Sequence, residues 1–210
     1  MSAFRPFFAA VLLASILAGC HSLEPRQADP AEVRELTVVM DLTAGKTFAD
    51  VGAGRGEWAL ALAEAVAPGG TVLATEVDQE RLDEIRQRFA AAGLRRARAV
   101  LGDDTSTGLD AGCCDALLLR RVYHHFVAPR AMNRSLFEAL KPGGLLAVVD
   151  YSTYDGSPIE GVPADRESHS VRPDIVEKEA LAAGFEVVAH HSPWNGRDDM
   201  YCLILRRPAN

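Results

Sequence analysis

The chain has no block of lysine or arginine. Its 22 basic residues are outnumbered by 29 acidic ones, for a net charge of −7. A nucleic-acid partner needs a basic footprint on its phosphates, so that substrate class is disfavoured. Cysteine is scarce and oddly placed: Cys20 lies near the N-terminus, Cys113 and Cys114 are adjacent, and Cys202 stands alone. That pattern is no disulfide framework. Cys113, Cys114, His124 and His125 lack a C-x-x-C spacing, so no metal site is expected. Cys114 and Cys202 fall in apolar runs and read as small core residues. The apolar run Phe7–Ala18 is too short for a permanent membrane helix, and no internal repeat or low-complexity tract occurs. What is present is ordinary for one globular domain with a sizeable core: 210 residues, 48% apolar and 24% charged.

Arg5, the apolar run Phe7–Ala18 and the ending Leu17-Ala18-Gly19-Cys20 read as an export signal. The ending resembles the bacterial lipobox. That resemblance implies a signal peptide over 1–19, a lipid on Cys20, and anchoring on the periplasmic side. His21 follows the cysteine where the inner-membrane retention signal has Asp, which favours the outer membrane. Residues 20–30 would form a polar tether, leaving 31–210 as the folded domain. An unused signal, or an internal start at Met40, would instead leave the protein in the cytoplasm.

From Asp29 onward, strands and helices alternate. Asp29 caps a helix over Ala31–Asp41 that begins at Pro30. Strands are expected at Thr47–Val51, Thr71–Val77, Ala97–Leu101, Asp115–Leu119 and Leu145–Asp150. Helices are expected at Glu57–Ala67, after the capping residue Asp78, and from Pro129 through Leu140, where Lys141-Pro142-Gly143-Gly144 ends the last of them. Such alternation predicts a doubly wound α/β fold, a parallel sheet with helices on both faces. Tyr151–Val171 breaks the rhythm, and a loop of that length suits a binding role. A helix over Pro173–Ala183 and strands at Phe185–His190 and Met200–Leu205 close the chain.

The most informative stretch is Thr47–Leu60, T-F-A-D-V-G-A-G-R-G-E-W-A-L: strand, glycine turn, helix. Gly52, Gly54 and Gly56 let the backbone turn sharply and approach a ligand. The free N–H groups of the helix start favour electron-rich groups. The spacing is G-x-G-x-G, not the dinucleotide fingerprint G-x-G-x-x-G, and Asp50 would repel a pyrophosphate. With Asp50, the stretch resembles the E/D-x-G-x-G-x-G signature of class I (Rossmann-like) S-adenosylmethionine-dependent methyltransferases. The resemblance extends over Phe48–Arg206 through acids ending strands two and three, the K-P-G-G before strand five, and the closing strands. It implies a mostly parallel seven-stranded sheet with an antiparallel last strand.

Under that resemblance, Asp50, Gly52, Ala53, Gly54 and Gly56 face the methionine part of S-adenosylmethionine, a cationic group suited to an acid. Glu76 accepts from the ribose diol or, alternatively, caps a helix. Val77 packs on the adenine. Asp103 or Asp104 accepts from the adenine amino group, or both are solvated turn acids. The stretch Arg120–Phe126, R-R-V-Y-H-H-F, would bring two histidines, Tyr123 and Phe126 to where the family meets its substrate; it resembles the V-L-H-H-F of small-molecule members and lacks the N-P-P-Y of DNA-methylating ones. His124 and His125 are then candidate proton acceptors, or else helix-edge packing. Tyr151, Tyr154, His169 and Arg172 are weaker substrate-side candidates. The expected activity is methyl transfer to a small-molecule acceptor. The competing expectation is a lipid-anchored binding or scaffold protein that keeps the fold without the reaction, since export separates the chain from a donor made in the cytosol.

Overall fold

A computed structural model describes residues 27–153, 162–163 and 169–209. The expected signal peptide, Cys20, the expected tether as far as residue 26, and Tyr154 lie outside the described residues. The first described element is α1 (Pro30–Val39). Asp29 caps it, its carboxylate accepting from the Ala31 N–H at 2.9 Å. The alternation then proceeds as β1 (Thr47–Val51), α2 (Glu57–Val66), β2 (Thr71–Glu76), α3 (Gln79–Ala91), β3 (Ala97–Leu101), β4 (Cys114–Arg120), α4 (Pro129–Ala139), β5 (Leu140–Tyr151), α5 (Pro173–Ala182), β6 (Glu186–His191) and β7 (Met200–Arg206). Asp78 caps α3 by accepting from the Glu80 N–H at 2.8 Å.

These strands form one seven-stranded sheet in the order β3-β2-β1-β4-β5-β7-β6. The pairs from β3 to β5 are parallel, and β7 runs antiparallel to both its neighbours. Chain order reverses between β1 and β4. A crevice opens there beyond the carboxyl ends of the strands, the usual ligand position in such sheets.

Because side chains alternate along a strand, each face of the sheet carries its own core. Phe48, Ala74, Leu118 and Val149 pack with Leu36, Leu62 and Ile85 from α1, α2 and α3. Ala49, Leu117, Leu119 and Val148 pack with Leu136 of α4 and Val176 of α5. Cys114 and Cys202 are buried in these layers.

Several boundaries shift by a residue or two, and one differs by more. Strand β5 begins at Leu140, and Lys141–Gly144 bulges out within it rather than separating helix from strand. Leu140 pairs with Cys114 and Leu145 with Ala116, so Asp115 alone faces the four bulged residues. Asp115 stabilises the bulge by accepting from Lys141 Nζ at 2.7 Å and from the Thr47 N–H at 2.8 Å.

Candidate functional site

All three glycines of the turn have positive φ: 70° at Gly52, 59° at Gly54 and 79° at Gly56. This left-handed region disfavours residues with a Cβ, which explains three glycines in five positions. Gly56 is also the N-cap of α2 and has no side chain to satisfy the helix. Asp50, at the end of β1, does so from a distance: its Oδ2 accepts from the Ala59 N–H at 3.1 Å. The acid expected to face the ligand therefore also caps the helix behind the turn. It is 3% exposed, and burial pushes its carboxyl up to about 7, against the pull of the Ala59 N–H and the Arg120 guanidinium.

This shift has a testable consequence. A carboxyl raised in the folded state contributes most below its ordinary value of 3.8, and that contribution is lost as pH rises to about 7. In ligand-free protein, Asp50→Asn is expected to raise the melting temperature more at pH 8 than at pH 5. Equal shifts at both pH values would mean that the carboxyl is not penalised by burial.

Beyond the turn, the crevice has two lobes. One is a cavity of about 290 Å³ lined by Gly52, Glu76, Val77, Asp103, Asp104 and Phe126, among others. Glu76 is 8% exposed. Its Oε2 accepts from the Gly54 N–H at 2.8 Å and its Oε1 from the Val77 N–H at 3.0 Å. Each oxygen keeps a second lone pair, so the carboxylate braces the glycine turn and still has capacity for a diol. Val77 is 59% exposed, an apolar side chain presented to the cavity. Asp103 is drawn into its own turn, where its Oδ1 accepts from both the N–H and the Oγ1 of Thr105 at 2.7 Å. Those bonds hold its carboxyl below the usual range. Asp104 makes no side-chain hydrogen bond among the described residues, which makes it the less encumbered of the two acids. Arg81 of α3, not singled out in the sequence, lines both lobes and lies 4.0 Å from where a Gly54 Cβ would stand.

The second lobe, about 960 Å³, is lined by Asp50, Gly54, Trp58, Arg121, His124, His125, Tyr151 and His169, among others. A 3-10 turn over Tyr123–His125 follows β4 and sends its side chains in different directions. Tyr123 departs from expectation. It is fully buried away from the cleft, donating to Glu179 Oε2 at 2.8 Å and accepting from Asn133 Nδ2 at 2.6 Å. His124 is also buried, its Nδ1 donating to Asp150 Oδ1 at 2.7 Å. The ring is thereby fixed, with Nε2 as its remaining polar atom. His125 packs against it with ring centroids 4.2 Å apart. Burial, then His124 and His169, push the His125 imidazole down to about 4, so it is neutral near pH 7. Arg172 instead pairs with Asp174 at 2.7 Å. Tyr151 lies beneath two guanidinium groups, with Arg121 at 4.9 Å and Arg197 at 5.4 Å from its ring centroid.

Sequence reasoning missed two groups here. Asp150 carries a signal that was available: an acid near the carboxyl end of an apolar strand, as at Asp50 and Glu76. The other group is a latch. Glu32 of α1 accepts both Arg120 Nε at 2.9 Å and Arg120 Nη2 at 2.8 Å, and also the Trp194 indole N–H at 3.0 Å. Arg120 in turn stacks on Trp58 at 4.1 Å. No local pattern marks residues so far apart in the chain.

Residues 48–144, a little under half of the chain, match the family model described as a methyltransferase domain. Over 119 residues the chain is 32% identical to a protein-L-isoaspartate O-methyltransferase of Aeropyrum pernix, covering 57% of this chain and 44% of that one. Over 117 residues it is 29% identical to a demethylmenaquinone methyltransferase of Staphylococcus aureus, covering 54% and 46%. The chain thus spans less than half the length of these curated relatives. Among solved structures, an S-adenosylmethionine-dependent methyltransferase from Aquifex aeolicus aligns with a TM-score of 0.67 at 18% identity, over 86% of this chain and 99% of that one. The cyclase SpnF aligns at 0.71 and 19% identity, over 86% and 82%. A phosphoethanolamine N-methyltransferase of Haemonchus contortus, solved with S-adenosylmethionine, aligns at 0.67 and 15% identity, over 85% and 52%. The fold is the Rossmann-like fold of these methyltransferase structures, and residues 48–144 resemble a methyltransferase domain.

Proposed function

We propose that this protein is an S-adenosylmethionine-dependent methyltransferase that acts on a small-molecule acceptor by in-line transfer. The observation that carries the reading is the two-lobed crevice at the β1/β4 reversal. One lobe joins the Glu76 carboxylate to the exposed apolar Val77. The other joins the buried Asp50 carboxyl to a histidine face. An elongated ligand with a flat aromatic end, a sugar diol and a cationic end fits that order of groups. S-adenosylmethionine, when bound, supplies an electrophilic methyl group on a sulfonium. Gly52, Ala53, Gly54 and Gly56 would let the backbone approach its methionine part, with Asp50 as the acid facing the cation. Glu76 would accept from the ribose hydroxyls, Val77 would cover the adenine, and Asp103 or Asp104 would accept from the adenine amino group.

On the acceptor side, the protein's work is to align the nucleophile and exclude water. His124, held by Asp150, and the neutral His125 can accept a proton from an O–H, N–H or S–H acceptor as it reacts. Calorimetry with S-adenosylmethionine, S-adenosylhomocysteine and NAD tests the cofactor. Tight NAD binding with no affinity for either sulfur ligand would sink the assignment. Glu76→Gln removes a charged acceptor worth roughly 1.5–3 kcal/mol, so affinity should fall about 10- to 150-fold. An unchanged dissociation constant would leave Glu76 as only a brace for the Gly54 and Val77 N–H groups.

The second reading, a lipid-anchored protein with this fold and no methyl transfer, draws support from the Leu17–Cys20 ending and from a cyclase sharing the fold. In that reading residues 1–19 are cleaved, Cys20 is lipidated, and the tether through residue 30 holds the domain of residues 31–210 near the outer membrane. One acyl chain anchors only marginally, so a multiply acylated cysteine is needed for stable attachment. Labelling cells with a radioactive fatty acid tests the location. Label in wild type and not in Cys20→Ser, in the membrane fraction, supports export. A soluble, unlabelled wild-type protein removes the anchor and with it the objection of donor supply.

A further inference from the structure

Three histidines converge where the acceptor lobe opens. His124, His125 and His169 each offer a ring nitrogen, and these nitrogens all lie within 4.8 Å of one another. The ring centroids of His169 stand 5.8 Å from His124 and 5.7 Å from His125. His169 is 44 residues beyond His125, so tertiary structure rather than local spacing assembles the group. Cys113 and Cys114 take no part: they lie at the start of β4, whereas the histidines follow its far end.

We propose that His124, His125 and His169 form a binding site for a zinc-class divalent cation at the mouth of the acceptor lobe, with Asp150 as the positioning residue behind His124. The donor chemistry points to this class, because imidazole ligands suit zinc, copper, nickel and iron rather than magnesium or calcium. Three protein ligands with a fourth position open is the arrangement of catalytic rather than structural zinc. The Asp150–His124 bond supplies what such sites need behind a ligand: a carboxylate on Nδ1 that fixes the tautomer and directs Nε2 to the ion.

Zinc–nitrogen bonds of about 2.0–2.1 Å place tetrahedral ligand atoms roughly 3.3 Å apart. Closing from separations of no more than 4.8 Å then takes at most about 1.5 Å of movement, by the exposed His125 and His169 against a His124 that stays fixed. Arg121 opposes the cation through its charge, and its guanidinium lies over the Tyr151 ring. The Asp150 carboxylate works in the other direction. With the ion bound, its open position would take the oxygen, nitrogen or sulfur of the acceptor and lower the acceptor's pKa, the role otherwise left to a free imidazole. That role rests on the methyltransferase reading, but metal binding itself does not.

The test uses the full chain, stripped with chelator and then dialysed against limiting Zn²⁺ or Co²⁺. Wild type should retain one equivalent of zinc and, with cobalt, show the intense visible absorption of a low-coordinate site. His125→Ala and His169→Ala should each lose that equivalent, while the control His190→Ala keeps it. Asp150→Asn should bind about 10- to 100-fold more weakly, with circular dichroism checking that each variant is folded. No retained zinc in wild type overturns the site, as does equal retention in the His125 and His169 variants. S-adenosylhomocysteine calorimetry on the same samples separates the two ideas. Cofactor binding without zinc binding defeats only the metal site. Zinc binding without cofactor binding defeats only the methyltransferase reading.

Discussion

Glu32→Ala should destabilise the domain by about 3–5 kcal/mol, the usual cost of removing one partner from a buried ion pair. Glu32 is 1% exposed, and its carboxylate is shared between the two Arg120 nitrogens and the Trp194 indole. Removing it strands a guanidinium that is only 18% exposed on its side chain and leaves the indole N–H without its acceptor. The same pair replaced together by hydrocarbon, Glu32→Met with Arg120→Met, should recover most of the loss, because a buried ion pair contributes little beyond a well-packed apolar equivalent. Urea midpoints of Glu32→Met, Arg120→Met and their double give the cycle, with Glu32→Ala measured alongside. A single-variant loss below about 1 kcal/mol, typical of exposed pairs, would show that the latch is solvated. Residues 1–39, which include the whole of α1 with Glu32 and Leu36, would be lost with an internal start at Met40. Such a start keeps every cofactor motif but removes this latch and a fully buried leucine, so a cytosolic form made that way should be poorly stable.

The fold was legible in the sequence because its signals are local. Buried parallel strands such as Val72–Ala74 and Leu117–Leu119 are continuous apolar runs, and every α-helix start but that of α2 carries a capping acid or a proline. The glycine turn was legible for a related reason: three residues needing positive φ leave a composition that nothing else requires. Contacts between distant segments left no such trace. Asp50 was readable as an acid beside the turn, but its bond to Ala59 depends on how α2 docks on β1. Tyr123 looked like a member of the site because it stands next to two histidines. The tight turn over Tyr123–His125 rotates it to the opposite side, where Glu179 and Asn133 take up its hydroxyl. His169 lies in a stretch without period, in a positive-φ conformation of 55°, and only the folded chain brings it to His124.

Gly52→Ala should cost more than Gly54→Ala, although the two glycines look equivalent in the motif. Both have positive φ, which costs an L-residue roughly 1–2 kcal/mol. At Gly54 little else is added, since the nearest atom to a new Cβ is Arg81 Nη1 at 4.0 Å. At Gly52 the Cβ would lie 2.7 Å from Val122 Cγ1 and 2.8 Å from Cγ2. A branched side chain has no free end to swing aside, and overpacking of this kind adds about 1–3 kcal/mol. The total for Gly52→Ala is then roughly 2–5 kcal/mol, with Val122 pushed toward the histidine turn that follows it. Val122→Ala in the same chain should return the packing part and leave the φ part, so that Gly52→Ala/Val122→Ala resembles Gly54→Ala in its penalty for the turn. For probing the ligand without unfolding, Gly54→Asn is cleaner than the β-branched Gly54→Val, because asparagine tolerates left-handed backbone. Thermal melts rank the stabilities, and S-adenosylhomocysteine calorimetry reads the cleft. Equal penalties at Gly52 and Gly54 would mean that Val122 yields freely, and that φ alone accounts for both glycines.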